Sequence, residues 1–292
     1  MKLKKQLVSE IYELFHKESL VNLDEFHSFF NIESFSINVT SDKSLLDIFY
    51  YPNYSEHLNF LFTTISSKKY SDSIRKIKLR YNHGAANGTM DIDLKEFLKN
   101  DIIYPNIDEL AFELESEDTN LVTISLNDAY DSTGKVCTKV IDSLPNVKKL
   151  ILLTAPSMSF FNRNFHPIET LLIKSAFTNN DFIQNLSQSN CFSNLRELCY
   201  YDVDSYMIDN ESENTSYDAF VNLFNSQYLP NLRVLNLVNV NLDENQINII
   251  KEAPLAKQLE KLVVSTQKYN DSWDSGKAKV ERIWFKNEYF KM

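Results

Sequence analysis

Seven segments of the chain repeat one short pattern: an aliphatic residue, two variable residues, a second aliphatic residue, one variable residue and a third apolar residue. Ile74/Ile77/Leu79, Ile107/Leu110/Phe112, Val147/Leu150/Leu152, Ile168/Leu171/Ile173, Leu195/Leu198/Tyr200, Leu232/Leu235/Leu237 and Leu259/Leu262/Val264 fill it. Their starts are spaced by 33, 40, 21, 27, 37 and 27 residues. Recurrence on this scale marks stacked repeats. The second and third apolar positions alternate, which is strand periodicity. One such strand cannot bury its apolar face alone, so the copies must share a core. Four copies open on a related lead, Tyr104-Pro105-Asn106, Leu144-Pro145-Asn146, Phe192-Ser193-Asn194 and Leu229-Pro230-Asn231. Pro and Asn there suit a turn.

Stretches with helical spacing lie between these strands. Phe182/Ile183/Leu186 follows Asn179-Asn180-Asp181, Phe220/Leu223/Phe224 follows Ser216-Tyr217-Asp218, and Ile247/Ile250 follows Asp243-Glu244-Asn245. Asn, Ser and Asp are favoured helix caps because their side chains accept from the open N–H groups of a first turn. Val136/Val140/Ile141/Leu144 leads into the second Pro-Asn. The unit reads as strand, turn, helix, turn, and the fold class as α/β.

The pattern resembles the leucine-rich repeat superfamily in its ribonuclease-inhibitor-like branch, and within it a group of cytoplasmic bacterial proteins of unassigned role. The clearest stretch runs from Leu229-Pro230-Asn231-Leu232 to Val264, and the likeness covers residues 70–267. It implies a solenoid with a curved parallel sheet inside, helices outside and non-repeat caps at both ends. The ninth position is usually Asn or Cys in that family. Here it is Asn82, Glu115, Ala155, Ala176, Val203, Val240 and Gln267.

Residues 1–70 do not show the repeat and read as an N-terminal cap or flanking region. Leu3/Leu7/Ile11/Leu14/Phe15 has amphipathic helical spacing, and Phe26, Phe29, Phe30, Phe35 and Ile37 read as a strand or packing segment. The repeats occupy 71–267, and 268–292, with Trp273, Val280, Ile283, Trp284, Tyr289 and Phe290, reads as a C-terminal cap. Leu121/Ile124/Leu126 starts 14 residues after Ile107, too soon for another strand–helix unit. An antiparallel hairpin insertion near 115–127 is therefore expected, with its turn over 115–120.

Composition narrows the function. The chain carries 30 Lys+Arg against 40 Asp+Glu, a formal net charge of −10. That argues against nucleic-acid binding, which needs cationic surface. Only four glycines are present. Gly134-Lys135 has Ala129 and Val136 where a phosphate loop needs Gly and a hydroxyl, so it reads as a turn or helix start. No apolar run approaches 18 residues, so no membrane span is expected. Three cysteines, Cys137, Cys191 and Cys199, give no disulfide framework and fit a reducing compartment. The basic start is followed by polar Gln6–Glu10, unlike an export signal. The expectation is a cytoplasmic monomer with no cofactor and no membrane or nucleic-acid partner.

No catalytic or metal-binding set emerges. His16, His27, His57, His83 and His166 share no ligand spacing on one helix and none lies near a cysteine. Asp202, Asp204, Asp209, Glu211 and Glu213 lack calcium-loop spacing and read as a solvated loop. Asp91 and Asp93 read as capping before Leu94, and Cys199 as a small apolar residue.

The outward positions of the strands are the third, fifth, seventh and eighth of the pattern. Ile151, Leu153, Leu172, Tyr201, Val238 and Val263 form an apolar centre there, and Lys76, Lys78 and Arg80 a basic end. Apolar anchors with a polar rim are a signature of a protein-binding face. These nine residues are the candidate site for a partner protein. Strand propensity alone also favours Val, Ile and Tyr, and the basic trio has Glu109 and Glu113 on the neighbouring strand to pair with. Two other functions are compatible with the sequence: an effector acting on a host protein through the same repeat, and an enzyme with its chemistry in residues 1–70.

Overall fold

The computed structural model describes residues 2–19, 35–41, 45–51, 55–81, 90–114, 122–126, 134–203, 214–268 and 278–285. The chain divides into two compact units, residues 1–131 with 139–151 and residues 132–138 with 152–292.

The first unit begins with α1 (Lys2–Ser19), β1 (Phe35–Val39), β2 (Leu46–Tyr50), α2 (Ser55–Ile65) and the short α3 (Lys68–Ser71). It continues with β3 (Ile74–Tyr81), β4 (Met90–Asp93), β5 (Glu109–Leu114) and β6 (Val122–Ser125). The division runs through α4 (Lys135–Ser143) and β7 (Lys149–Leu152). Strands β2, β3, β5 and β7 run parallel in that order, and β1 closes the row antiparallel to β2. The second unit holds β8 (Thr170–Lys174), α5 (Phe182–Ser187), β9 (Glu197–Tyr201), α6 (Tyr217–Phe224) and β10 (Val234–Val238). It ends with α7 (Glu244–Lys251), α8 (Pro254–Gln258), β11 (Lys261–Lys268) and β12 (Ala278–Phe285). Here β8 to β11 are parallel and β12 lies antiparallel on β11.

Strand register follows the apolar pattern. Ile77 lies opposite Leu110, and Leu110 opposite Leu150. In the second unit Leu171, Leu198, Leu235 and Leu262 face one another in turn. The second apolar position of one copy thus meets that of the next. All three apolar positions of all seven copies are buried, each contributing roughly 1.5–3 kcal/mol of burial free energy. A one-residue slip would turn two of them to the opposite face, so the register is strongly specified. Phe182 of α5 stacks on Tyr200 at 5.5 Å, which places that helix on the buried face. The expected helices form. Ser216 Oγ accepts from Ala219 N at α6, and Asp243 makes a reciprocal capping box with Gln246 at α7.

The Asn of the turn lead has a structural task in each unit. Asn106 Nδ2 donates to the Asp72 carbonyl, Asn146 to Pro105 and Asn231 to Ser193, at 2.7, 2.8 and 2.9 Å. In all three the acceptor is the residue two before the first apolar position of the preceding copy. The side chain satisfies a turn carbonyl that would otherwise lack a strand partner. At the ninth position Ala155, Ala176, Val203 and Val240 are buried, so apolar side chains fill that space instead of a carboxamide.

Three features differ from the sequence expectations. Residues 1–70 do contain a parallel strand, because β2 pairs with β3 and places Ile48 opposite Ile77 and Tyr50 opposite Leu79. Leu45/Ile48/Tyr50 is a further copy of the pattern, without the Pro-Asn lead. Of the segment expected to form a hairpin, 115–127, the described strand β6 pairs in parallel with β4 as a separate two-stranded sheet and not antiparallel with β5. β3 runs along the whole of β5 and β7 along Glu109–Ala111, so β5 is flanked by parallel neighbours at its start. Finally, the C-terminal segment adds a regular eight-residue strand, β12. Phe26, Phe29, Phe30, Trp273, Tyr289 and Phe290 lie outside the described residues. No helix among the described residues is long and apolar enough to cross a membrane.

Candidate functional site

In the first unit the basic residues gather around one carboxylate. Lys76 Nζ lies 2.9 Å from Glu109, Lys78 3.3 Å and Lys149 3.1 Å. Lys78 also reaches Glu113 at 3.5 Å. The strand order explains this, because Lys76 and Lys149 are the registered neighbours of Glu109 on β3 and β7. Glu109 is buried, which by itself would raise its carboxyl. The hydrogen bonds and charges of Lys76, Lys149 and Lys78 outweigh burial and hold it at about 2. The Lys78 ammonium is raised, since Glu113 and Glu109 overcome its partial burial. Arg80 is exposed at the far end of β3. Lys149 is the member of this cluster that spacing within one copy could not associate with the others. Ile151 is 7% exposed.

In the second unit the apolar centre is more deeply packed than expected. Leu153, Val238 and Val263 are 2%, 9% and 7% exposed. Alternation placed them on the outward side, yet all three are buried. Thr154 and Ser265, next to Leu153 and two residues from Val263 along the chain, are also buried, as is Ser175. Leu172 and Tyr201 remain half-buried, as does Cys199 between them in the register. Strand β12 adds apolar surface that the cap reading did not assign. Ile283 is opposite Val263 and Phe285 opposite Lys261, so both share the outward face. They are 43% and 46% exposed. Trp284 takes the other face, 5.8 Å from Lys251 of α7, and Arg282 pairs with Glu244 there at 3.4 Å.

A buried polar cluster closes the C-terminal end of β9. Tyr200 OH donates to Asp202 at 3.0 Å and receives Ser175 Oγ at 3.2 Å. Asp202 also accepts from Val203 N and from the N–H and hydroxyl of Thr215. One carboxylate thereby holds together the residues on both sides of 204–213. Burial raises the Asp202 carboxyl to about 6, against those hydrogen bonds. Burial, with the nearby Asp202 charge, pushes the Tyr200 phenol well above its ordinary value, so it stays a donor.

The remaining candidates have structural uses. Asp93 Oδ1 accepts from Lys95 N at 2.8 Å and so caps the turn over 95–98, where no helix starts. Asp91 accepts from the hydroxyls of Thr123 and Ser125 and ties β4 to β6. Gly134 has φ +63, and a Cβ there would lie 2.3 Å from the Ala155 carbonyl. Its role is the turn, as the missing phosphate-loop residues implied. Cys137 and Cys191 are buried thiols, and burial pushes Cys191 up to about 11. His166 is buried against Phe192. His27 and His83, and the side chain of His57, lie outside the description, as do Asp204, Asp209, Glu211 and Glu213. Among the described residues no three His, Cys, Asp or Glu side chains are grouped to hold a metal.

No protein-family model matches the chain, and no curated protein matches it. Among solved structures, the crystal structure of a Bacteroides fragilis protein, a structural-genomics target, is similar to it with 18% sequence identity and a TM-score of 0.44. The match covers 68% of this chain and 53% of that one, so this chain spans about half the length of its neighbour.

Proposed function

We propose that this chain is a non-enzymatic, cytoplasmic, monomeric scaffold of the leucine-rich repeat type, ribonuclease-inhibitor-like, that binds another protein through the outward face of its strands. The observation that carries this reading is the apolar surface of the second unit. Leu172, Cys199 and Tyr201 are half-buried there, and Ile283 and Phe285 are exposed. The strands that bear them are held in register by a buried row on the opposite face. A rigid, preformed surface binds without first ordering itself, which lowers the entropic cost of association. Tyr201 and Phe285 are the residue types most able to anchor a partner, being large and stiff. In the first unit the lysines around Glu109 supply charge that steers encounter. The test is capture of partners from native cytosol by wild type beside Leu172→Lys/Tyr201→Ala. A protein recovered by wild type and lost by the folded double variant supports the reading. Equal recovery by both refutes the face.

A further inference from the structure

The position immediately after the first apolar residue of each copy lies at the entry to the strands. In the second unit it is Glu169, Arg196, Arg233 and Glu260 across β8 to β11. The backbone pins these residues. The Glu169 carbonyl accepts from Arg196 and Glu197 N–H, the Arg196 carbonyl from Arg233 and Val234, and the Arg233 carbonyl from Glu260 and Lys261. Arg196 and Arg233 therefore stand side by side on adjacent parallel strands, about 4.8 Å apart.

The first unit shows what an arginine does at this position when its partner is internal. Arg75 reaches both oxygens of Asp47 with Nε and Nη2, at 2.9 and 2.5 Å. Arg196 makes no ion pair among the described residues. Arg233 donates Nη1 to the carbonyls of Pro230 and Leu232, at 3.0 and 2.8 Å, which fixes its guanidinium and, among the described residues, leaves Nε and Nη2 open. Glu197 takes the place beside Arg233 that Asp47 takes beside Arg75. It forms no ion pair there, because the guanidinium is turned toward the turn carbonyls. Glu169, Asn194, Arg196, Asn231 and Arg233 together line an open groove of about 390 Å³.

We propose that this groove is an oxyanion site that takes one carboxylate or phosphate group bridged between Arg196 and Arg233, with the Asn194 carboxamide donating from the side. Guanidinium forks match two oxygens of either group. Glu169 and Glu260 reverse the charge on the flanking strands. That reversal admits a single small oxyanion and repels a polyanion such as nucleic acid. The site lies at the strand entry and not on the outward face, so it does not depend on partner binding there.

Titration of the folded chain with inorganic phosphate, and separately with malonate, tests the site, read by calorimetry and by the arginine Nε–H resonances. Wild type is expected to bind at least one probe saturably in the millimolar range. Arg196→Gln and Arg233→Gln should each weaken binding at least tenfold, Arg196→Lys less, and Lys257→Gln, on α8, not at all. Tighter malonate binding assigns a carboxylate source, and tighter phosphate binding a phosphate source. Tyr201→Ala should bind the probes like wild type, which separates this site from the partner face. Absence of saturable binding to both probes overturns the proposal, and so does binding unchanged by both glutamine substitutions.

Discussion

Gly134→Ala should destabilise the second unit strongly, although it adds a single methyl group. Gly134 has φ +63, a left-handed conformation that costs an alanine roughly 1 kcal/mol. The new Cβ would sit 2.3 Å from the Ala155 carbonyl and 2.8 Å from Ser157 N. Both are backbone atoms, and carbon contacts are comfortable only near 3.5 Å, so the chain must shift by about 1 Å. The third neighbour, Asn180 Nδ2 at 2.9 Å, donates to that same Ala155 carbonyl at 2.7 Å. Displacing it leaves a buried carbonyl unsatisfied, at about 1–3 kcal/mol. The total is roughly 2–4 kcal/mol, a fall in Tm of about 10 °C for a chain of this size. Urea unfolding followed by circular dichroism measures it through the midpoint at constant slope. Gly134→Asn separates the two causes, because Asn tolerates the left-handed region but carries the same Cβ. It should be nearly as destabilising as alanine. A loss below about 1 kcal/mol for Gly134→Ala, or full recovery by Asn, would refute the close-contact reasoning.

Glu109→Gln should cost about 2 kcal/mol at neutral pH, discounted for the partly exposed lysines. Between about pH 4.5 and 2 the unfolded chain holds a proton that the folded Glu109 does not. Wild-type stability should therefore fall with acid across that window, and the variant's stability should fall less when unfolding is measured at each pH. Asp202 has the opposite sign. Between about pH 4 and 6 the folded chain holds a proton that the unfolded chain lacks, so its contribution is lost as pH rises, by about 3 kcal/mol. Asp202→Asn should remove that descending segment from the stability–pH curve, and an unchanged segment would contradict the assignment. Asn231→Ala removes the bond to the Ser193 carbonyl and should cost about 1 kcal/mol by urea titration.

Strand register is legible in the sequence because two apolar positions two residues apart must share a face, and every copy repeats them. Ile77, Leu110 and Leu150 accordingly meet across β3, β5 and β7 as the pattern implies. Leu45/Ile48/Tyr50 has the same spacing, and the missing Pro-Asn lead does not set it apart, since the copies at Ile74, Ile168 and Leu259 lack that lead too. The pairing of β6 is illegible. Alternation marks Val122–Ser125 as a strand but cannot say which edge receives it, and that edge is β4's. Leu172 and Tyr201 are half-buried, whereas Ile151, Leu153, Val238 and Val263, which alternation assigns to the same outward positions, are buried. Alternation fixes the side on which a residue stands, whereas exposure depends on neighbours distant in sequence. The arginine pair is hidden likewise, because Arg196 and Arg233 are 37 residues apart and meet only through strand order.

Hydrogen–deuterium exchange of the chain alone and with its captured partner tests the central claim most directly. The account predicts slowed exchange at the solvent-facing edge of β12 and in the segments flanking β8 and β9, and loss of that slowing in Leu172→Lys/Tyr201→Ala. Slowed exchange confined to α5, α6 and α7, with these strands unchanged, would contradict binding through the outward face.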